Sequence, residues 1–425
     1  MARDEKLVRT IDLPILFMYL ALLFIGWTTI YASELDVSAN VKPWDLSISS
    51  GRQLLFIGTS SVLIILIMAT DYKFYDVFSY FIYGAVLIVL VAVLGIGKTV
   101  AGSKSWLGVG TFGVQPSEFA KFATSLALAK YLSNPLVRLD RWQDLKWAAG
   151  FIAIPAILIL LQNDTGSTLV FSAFIIPLFR EGLPSWIPSL GLGVVFLFVL
   201  TLIVPQAWLL VGIGVFAIGF FVLIDKTLSN IIALFAIALV VAGVVIGANY
   251  FINDVLQPHQ QNRIKVLVNP NIDPLGVGWN VTQSKNAIGS GGFYGKGYLQ
   301  GTQTKFDFVP EQSTDFIFCT IGEEFGWLGS LVISGLFLGM LWRLLYLADR
   351  QKMKFSRVYG YCVAAILFFH FTINIGMTIG LLPIIGIPLP FISYGGSSLW
   401  SFTILLFIFL KLDAHRGHML ARETA

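Results

Sequence analysis

Twelve apolar runs punctuate this chain, and they restrict it to the few architectures that a lipid bilayer tolerates. They fall at 13–32, 53–69, 77–97, 118–132, 147–161, 167–179, 186–204, 207–224, 229–250, 327–347, 357–378 and 396–411. Inside hydrocarbon, backbone N–H and C=O groups find no water, so a spanning chain closes its hydrogen bonds as helices or as a shut β-barrel. Long uninterrupted runs suit helices, whereas barrel strands read as short alternating segments. Charged residues make up only 12% of the chain and hydrophobic ones 56%, while a soluble domain carries about 25% charged residues. The expected fold is therefore all-α, a polytopic membrane protein of about twelve transmembrane helices. The runs at 118–132 and 167–179 are notably short for spans.

Arg3, Lys6 and Arg9 precede the first run, which is long enough to span and has no A-x-A site after it. It reads as a retained span rather than a cleaved signal peptide. An even number of spans puts both termini on one side. Lys73, Arg138, Arg141, Lys146, Arg180, Lys226, Arg343, Arg350, Lys352, Lys354, Arg357, Lys411, Arg416 and Arg422 then mark that side as cytoplasmic. The net charge of +4 is too mild to suggest nucleic acid as a partner. Cys319 and Cys362 read as packing residues, not as a disulfide or metal framework.

Two segments break the apolar pattern. The first, 251–326, is long, polar and rich in glycine, and the span count puts it on the outer face. Loops of this length are usually functional or disordered, and its aromatic and branched residues argue against simple disorder. The second, Gly380-Leu-Leu-Pro-Ile-Ile-Gly-Ile-Pro-Leu-Pro-Phe-Ile-Ser-Tyr-Gly-Gly-Ser-Ser, cannot continue a helix. It fits a re-entrant or surface loop whose backbone is satisfied by protein or water.

Polar residues near the spans each carry two readings. Glu118 and Lys121, three apart on one helix face, form either a local ion pair or part of a substrate lining. Asp164, before Thr165, Gly166 and Ser167, is a helix cap or a site carboxylate. His370 and Asn374 read as an interhelical hydrogen-bonding pair. Asp273 precedes a proline and two nearby glycines, as in a turn, but also suits a carboxylate that accepts a proton. The glycines of 289–297 do not follow the Walker A pattern, and tight turning is their expected use. Glu323 and Glu324 suit helix capping.

Several stretches together resemble one family. They are Gln115-Pro-Ser-Glu-Phe-Ala-Lys121, Gln162-Asn-Asp164-Thr-Gly166, Asn269-Pro-Asn-Ile-Asp273-Pro-Leu-Gly-Val-Gly-Trp, Gln283-Ser-Lys-Asn-Ala-Ile-Gly-Ser-Gly-Gly, Pro310-Glu-Gln-Ser-Thr-Asp-Phe-Ile-Phe, Gly322-Glu-Glu and Pro388-Leu-Pro-Phe-Ile-Ser-Tyr-Gly-Gly-Ser-Ser. Their order and spread resemble the SEDS family (shape, elongation, division and sporulation) of bacterial peptidoglycan glycosyltransferases. The run from Ile288 to Gln303 resembles the elongation branch more than the division branch. The family usually has ten spans, so two helices near 184–250 are extra. Ser313 stands where the family often has histidine.

The resemblance implies one SEDS-type transmembrane domain over 1–425, with 251–326 as its extracytoplasmic catalytic loop, in the bacterial inner membrane with cytoplasmic termini. It implies polymerisation of lipid II during cell-wall elongation, with release of polyprenyl pyrophosphate. Asp273 is then the expected catalytic base. Arg52, Trp106, Glu118, Lys121, Asp164, Arg263, Gln283 and Ser284 are expected to bind substrate. A class B penicillin-binding protein is the expected partner, membrane lipids the surroundings, and a divalent cation such as Mg²⁺ a candidate cofactor. A lipid-linked precursor transporter (flippase) and a scaffold for a penicillin-binding protein are the alternatives. Broken helices suit a transporter too, but the halves show no internal repeat.

Overall fold

The computed structural model describes residues 11–34, 42–100, 102–109, 112–256, 258–269, 272–273, 276–305 and 308–416. Arg3, Lys6, Arg9 and Arg422 lie outside the described residues, as do 270–271 and 274–275 beside Asp273. The chain divides into two compact units, Met1–Leu183 with Gln283–Ala425, and Pro184–Thr282.

The first unit begins with α1 (Leu13–Glu34), α2 (Ser49–Ala69), the short α3 (Tyr72–Val77) and α4 (Ser79–Ile96). Three antiparallel strands follow, β1 (Lys98–Val100), β2 (Ser103–Val109) and β3 (Phe112–Val114), paired in the order β1-β2-β3. β1 and β3 have only three residues each, too few to set up an alternating pattern in the sequence. Then come α5 (Pro116–Ser133), α6 (Trp142–Leu161), α7 (Thr165–Val170), a 3₁₀ turn at Phe171–Phe174 and α8 (Ile175–Arg180). After the second unit the chain returns through α14 (Ile317–Asp349), α15 (Lys354–Thr378) and α16 (Gly396–Ala414).

Among the described residues, ten helices are long and apolar enough to cross a membrane. The other two expected runs are the ones noted as short. Helix α5 carries Glu118, Lys121 and Lys130 among its 18 residues. It is shielded by protein instead, packing on α4, α6, α15 and α16. Ala120, Ala123, Ala127 and Ala129 are buried there, and such small side chains let neighbouring backbones approach. The run at 167–179 is divided into α7, the 3₁₀ turn and α8. Pro177 offers no N–H to the preceding turn, which tightens in response.

One end of the first unit is laced by ion pairs. Arg343 binds Asp12 at 2.8 Å, Arg350 binds Asp413 at 2.6 Å, Arg180 binds Asp349 at 3.0 Å and Arg357 binds Glu181 at 3.1 Å. Because Arg343 and Arg350 both lie near the end of α14, the start of α1 and the end of α16 share that end. This is the relation that an even span count requires.

The second unit holds α9 (Trp186–Ile203), α10 (Gln206–Leu223) and α11 (Leu228–Tyr250), joined by short turns. These helices line an open apolar groove of about 340 Å³, bounded among others by Leu200, Trp208, Phe216 and Val241. In the polar segment that follows, 251–290 is mostly helical among its described residues, while 291–316 is not. The segment contains a π turn at Phe251–Val255, α12 (Pro258–Lys265) and α13 (Val277–Ser290), the last of which runs on into the first unit.

Residues 291–297 dock on a break in α14. Gly326 there has φ 62° and ψ −154°. The backbone groups around the break are met by the loop: Trp327 N donates to Gly292 O at 2.9 Å and Leu328 N to Phe293 O at 3.1 Å. In the other direction, Lys296 N donates to Glu323 O at 3.0 Å and Gly297 N to Glu324 O at 2.9 Å. A Cβ at Gly295, whose φ is +80°, would lie 2.1 Å from Glu324 O. Only glycine permits this approach, which is the turning role expected of the stretch.

Candidate active site

At the other end of α5, its first turn begins with Pro116 at N1, where a missing N–H costs nothing. Asp164 caps α7 by accepting Ser167 N on Oδ1 at 3.0 Å. Its Oδ2 accepts Gln115 Nε2 at 2.9 Å and Ser117 Oγ at 3.2 Å. The cap is thus made, and the same carboxylate also ties α7 to α5. Gly166 is required beside it, since a Cβ would lie 2.8 Å from Ile385 O.

One turn into α5, Lys121 Nζ binds Glu118 Oε2 at 2.7 Å, with both side chains almost wholly buried. The local ion pair is therefore present. A third group joins it: Lys121 Nζ lies 3.0 Å from His370 Nε2 of α15. The ring of Phe402 faces the ammonium at 4.6 Å, a favourable cation–π arrangement in a dry setting. Ser401 Oγ donates to Glu118 O at 2.6 Å, fastening α16 to the same turn.

The proline-rich segment 380–395 is non-helical and largely buried. Two of its carbonyls are met by polar side chains four residues apart on α15. His370 Nδ1 meets Pro388 O at 3.1 Å, and Asn374 Nδ2 donates to Ile387 O and to Asp315 O, each at 2.8 Å. Thr378 O accepts Ser284 Oγ. Ser393 Oγ accepts Leu389 N at 2.8 Å and donates to Thr314 O at 2.6 Å, while Tyr394 N donates to Ser313 O at 2.9 Å. His370, expected to join helices, does so through Lys121 of α5 and also meets the loop, whereas Asn374 holds the loop and Asp315 O.

Arg52 is exposed near the start of α2. Its guanidinium donates weakly to Ser47 O and Ile48 O and lies 5.9 Å from the Tyr394 ring. Trp106 is half-buried on β2, opposite Lys98. It packs on Gly113, where a Cβ would come within 2.9 Å of the indole. Gln283 is half-buried. Ser284 is fully buried, its hydroxyl shared by Thr378 O and Cys319 Sγ. Ser284 therefore packs α13 to α14 and α15 through a hydroxyl that is already engaged.

In the second unit, Asp273 stands just before α13. Its Oδ2 accepts Val277 N at 3.2 Å and, in a longer contact, Asn262 Nδ2 at 3.5 Å. Both donors fall on the same oxygen, and Oδ1 has no hydrogen bond among the described residues. Gly276 presses on this carboxylate, with a Cβ there lying 2.6 Å from Oδ2. The turn reading is correct in its geometry: Asp273 O accepts Gly278 N at 3.0 Å. The carboxylate is also held ready by the N-terminus of a helix, where negative charge is favoured. Arg263 is half-buried on α12, next to Asn262.

Glu323 was expected to cap a helix. Instead its buried carboxylate gathers the loop in front of it, accepting Lys296 Nζ at 2.6 Å, Thr302 N and Gln303 N at 2.8 Å, Thr304 N at 3.0 Å and Thr304 Oγ1 at 2.9 Å. The roles of Glu323 and of Asn262 escape sequence reasoning because their partners are backbone groups or distant in the chain. The stripe of His370, Asn374 and Thr378 is legible in its four-residue spacing.

Among the described residues, no three His, Cys, Asp or Glu side chains come together as a metal-holding group. Glu118 is already neutralised by Lys121.

The profile of the cell cycle protein family FTSW_RODA_SPOVE matches residues 13–210 and 179–418. The peptidoglycan glycosyltransferase RodA of Treponema pallidum is 33% identical over 437 residues, 96% of this chain and 99% of that protein. The peptidoglycan glycosyltransferase MrdB of Escherichia coli K12 is 32% identical, covering 86% of this chain and 85% of its own length. Stage V sporulation protein E of Bacillus subtilis is 33% identical, covering 95% and 97%. Among solved structures, a chain of a peptidoglycan synthase complex that coordinates polymerization and crosslinking superposes with a TM-score of 0.70 at 25% identity, covering 96% of this chain and 98% of that one. The RodA of Thermus thermophilus superposes with a TM-score of 0.61 at 23% identity, covering 96% and 97%. The chain belongs to the FtsW, RodA and SpoVE family of cell cycle proteins.

Proposed function

We propose that this membrane protein is a peptidoglycan glycosyltransferase that polymerises lipid II. The observation that carries the activity is its match along nearly its whole length, and nearly the whole length of the relative, to an enzyme of that name. In the reaction, the 4-hydroxyl of an acceptor sugar attacks the anomeric carbon of the donor. The new glycosidic bond forms as the bond to pyrophosphate breaks, and polyprenyl pyrophosphate leaves with the electron pair. Asp273 takes the hydroxyl proton on its carboxylate, whose Oδ1 accepts no hydrogen bond from the described residues.

The developing pyrophosphate charge calls for cations. Arg52 and Arg263 suit bidentate contacts to phosphate oxygens, and Lys121 suits a point-charge contact. Trp106 offers an aromatic face to a sugar, and Gln283 a half-exposed amide. Asp164 and Glu118 orient their neighbours. Mg²⁺ arriving with pyrophosphate would bind one or two carboxylates, and Asp164 is the half-exposed one. No chemical step is routed through it.

We place the protein in the bacterial cytoplasmic membrane with both termini inside, as the charge pattern supports. A class B penicillin-binding protein is its proposed partner, in keeping with the synthase complex it resembles. The test supplies purified protein and partner with lipid II. Wild type makes glycan polymer, while Asp273→Asn and Asp273→Ala do not, although both remain folded and bind the partner. Undiminished polymer from a folded Asp273→Ala would sink the assignment, and lipid translocation without polymer would favour a flippase.

A further inference from the structure

We propose that His370 is a positioning residue that fixes the Lys121 ammonium. This rests on the reading of Lys121 as part of the polymerase site. The argument starts from the tautomer. Nδ1 of His370 faces the carbonyl oxygen of Pro388 at 3.1 Å. A carbonyl only accepts, so Nδ1 carries the proton. Nε2 faces Lys121 Nζ at 3.0 Å, and an ammonium only donates. Nε2 is then the bare, accepting nitrogen, and the ring is neutral. A protonated imidazolium would set two donors against each other at that distance.

Lys121 consequently has two of its three N–H groups directed, one to Glu118 Oε2 and one to His370 Nε2. The groups packed around the imidazole are Lys121 of α5, Phe402 of α16 with its edge-on ring at 4.8 Å, and the Pro388 carbonyl. Glu118 reaches it only through Lys121. Through these contacts His370 couples the buried proline-rich segment to a lysine buried in the core of the unit. The third N–H of Lys121 has its direction set by the first two.

The test measures polymerisation of lipid II by the full chain with its partner transpeptidase. His370→Phe keeps the ring volume and the contact to Phe402 but removes both nitrogens. It is expected to lower kcat/KM by roughly tenfold or more, as misplacement of a site group does. His370→Gln can donate to Pro388 O and accept from Lys121, and it should recover to within about threefold of wild type on the fold-change scale for a lost hydrogen bond. In a Lys121→Ala background, His370→Phe should cause no further loss, because coupled residues are not additive.

Multiplicative losses in the double variant would overturn the proposal, as would a His370→Gln no better than His370→Phe. If His370→Phe does not fold, His370→Gln still decides. Activity that falls as pH rises through the ordinary histidine value of about 6.5, in wild type and not in His370→Gln, would overturn the neutral form. Full activity in Lys121→Ala would instead sink the reading of Lys121 itself.

Discussion

Gln115 and Asp164, 49 residues apart, meet through a hydrogen bond of 2.9 Å from the amide to Oδ2, while the other carboxylate oxygen caps α7. One side chain thus serves two helices. Asp164→Ala loses a cap worth about 0.5–2 kcal/mol. It also strands the donors of Gln115 and Ser117, at about 1–3 kcal/mol for a buried unsatisfied group. Asp164→Asn keeps an accepting oxygen and should lose less. Thermal unfolding in detergent checks the order, with Asp164→Ala below Asp164→Asn and both below wild type.

The glycine loop gives a sharper contrast. Gly295→Ala places a methyl group 2.1 Å from Glu324 O in a left-handed conformation. The strain and overlap should cost at least about 3 kcal/mol. Gly289, in α13, has open space around its Cβ position. Gly289→Ala should be neutral or stabilising by up to about 1 kcal/mol. Equal effects of the two substitutions on Tm would show that the loop does not dock on α14 as described.

Glu323 holds its loop through a carboxylate, not through shape. Glu323→Gln keeps the volume but replaces one accepting oxygen with a donor. Lys296 then loses its ion pair, and one or two amides of 302–304 lose an acceptor. Hydrogen exchange followed by mass spectrometry should show faster exchange over 296–305, while α15 and α16 keep their protection. Local opening of this kind has a free energy of its own, below that of global unfolding. Unchanged exchange in the loop would refute the anchoring role.

Most of the architecture is legible because lipid leaves few options. Apolar run length locates the spans, and the charges of Arg180, Arg343, Arg350 and Arg357 mark the end where the ion pairs lie. The reading falters where a helix is shielded by protein. Helix α5 looks like a weak span because Glu118 and Lys121 are satisfied by each other and by His370, which is 249 positions away. The small sheet at 98–114 is held by backbone pairing that leaves little trace in side chains. Ser284 looks like part of a polar motif, yet tertiary packing turns its hydroxyl inward onto Thr378 O.

Gly276 offers the most direct probe of the proposed base. A methyl group there would lie 2.6 Å from Asp273 Oδ2 and 2.7 Å from Oδ1. The carboxylate must therefore turn away, breaking its hydrogen bond from Val277 N. The helix itself can persist, since Gly276 precedes α13. Gly276→Ala should thus leave Tm within a few degrees of wild type but lower lipid II polymerisation by roughly 10- to 100-fold, because small misplacements of a reacting group carry penalties of that size. Asp273→Asn, which keeps an accepting oxygen for Val277 N but is a far weaker base, should fall further, by about 100- to 10,000-fold. If Gly276→Ala polymerises as fast as wild type while Asp273→Asn is inactive, the orientation of the carboxylate is not what the backbone sets. If both are fully active, Asp273 is only the turn residue that its proline and glycines first suggest.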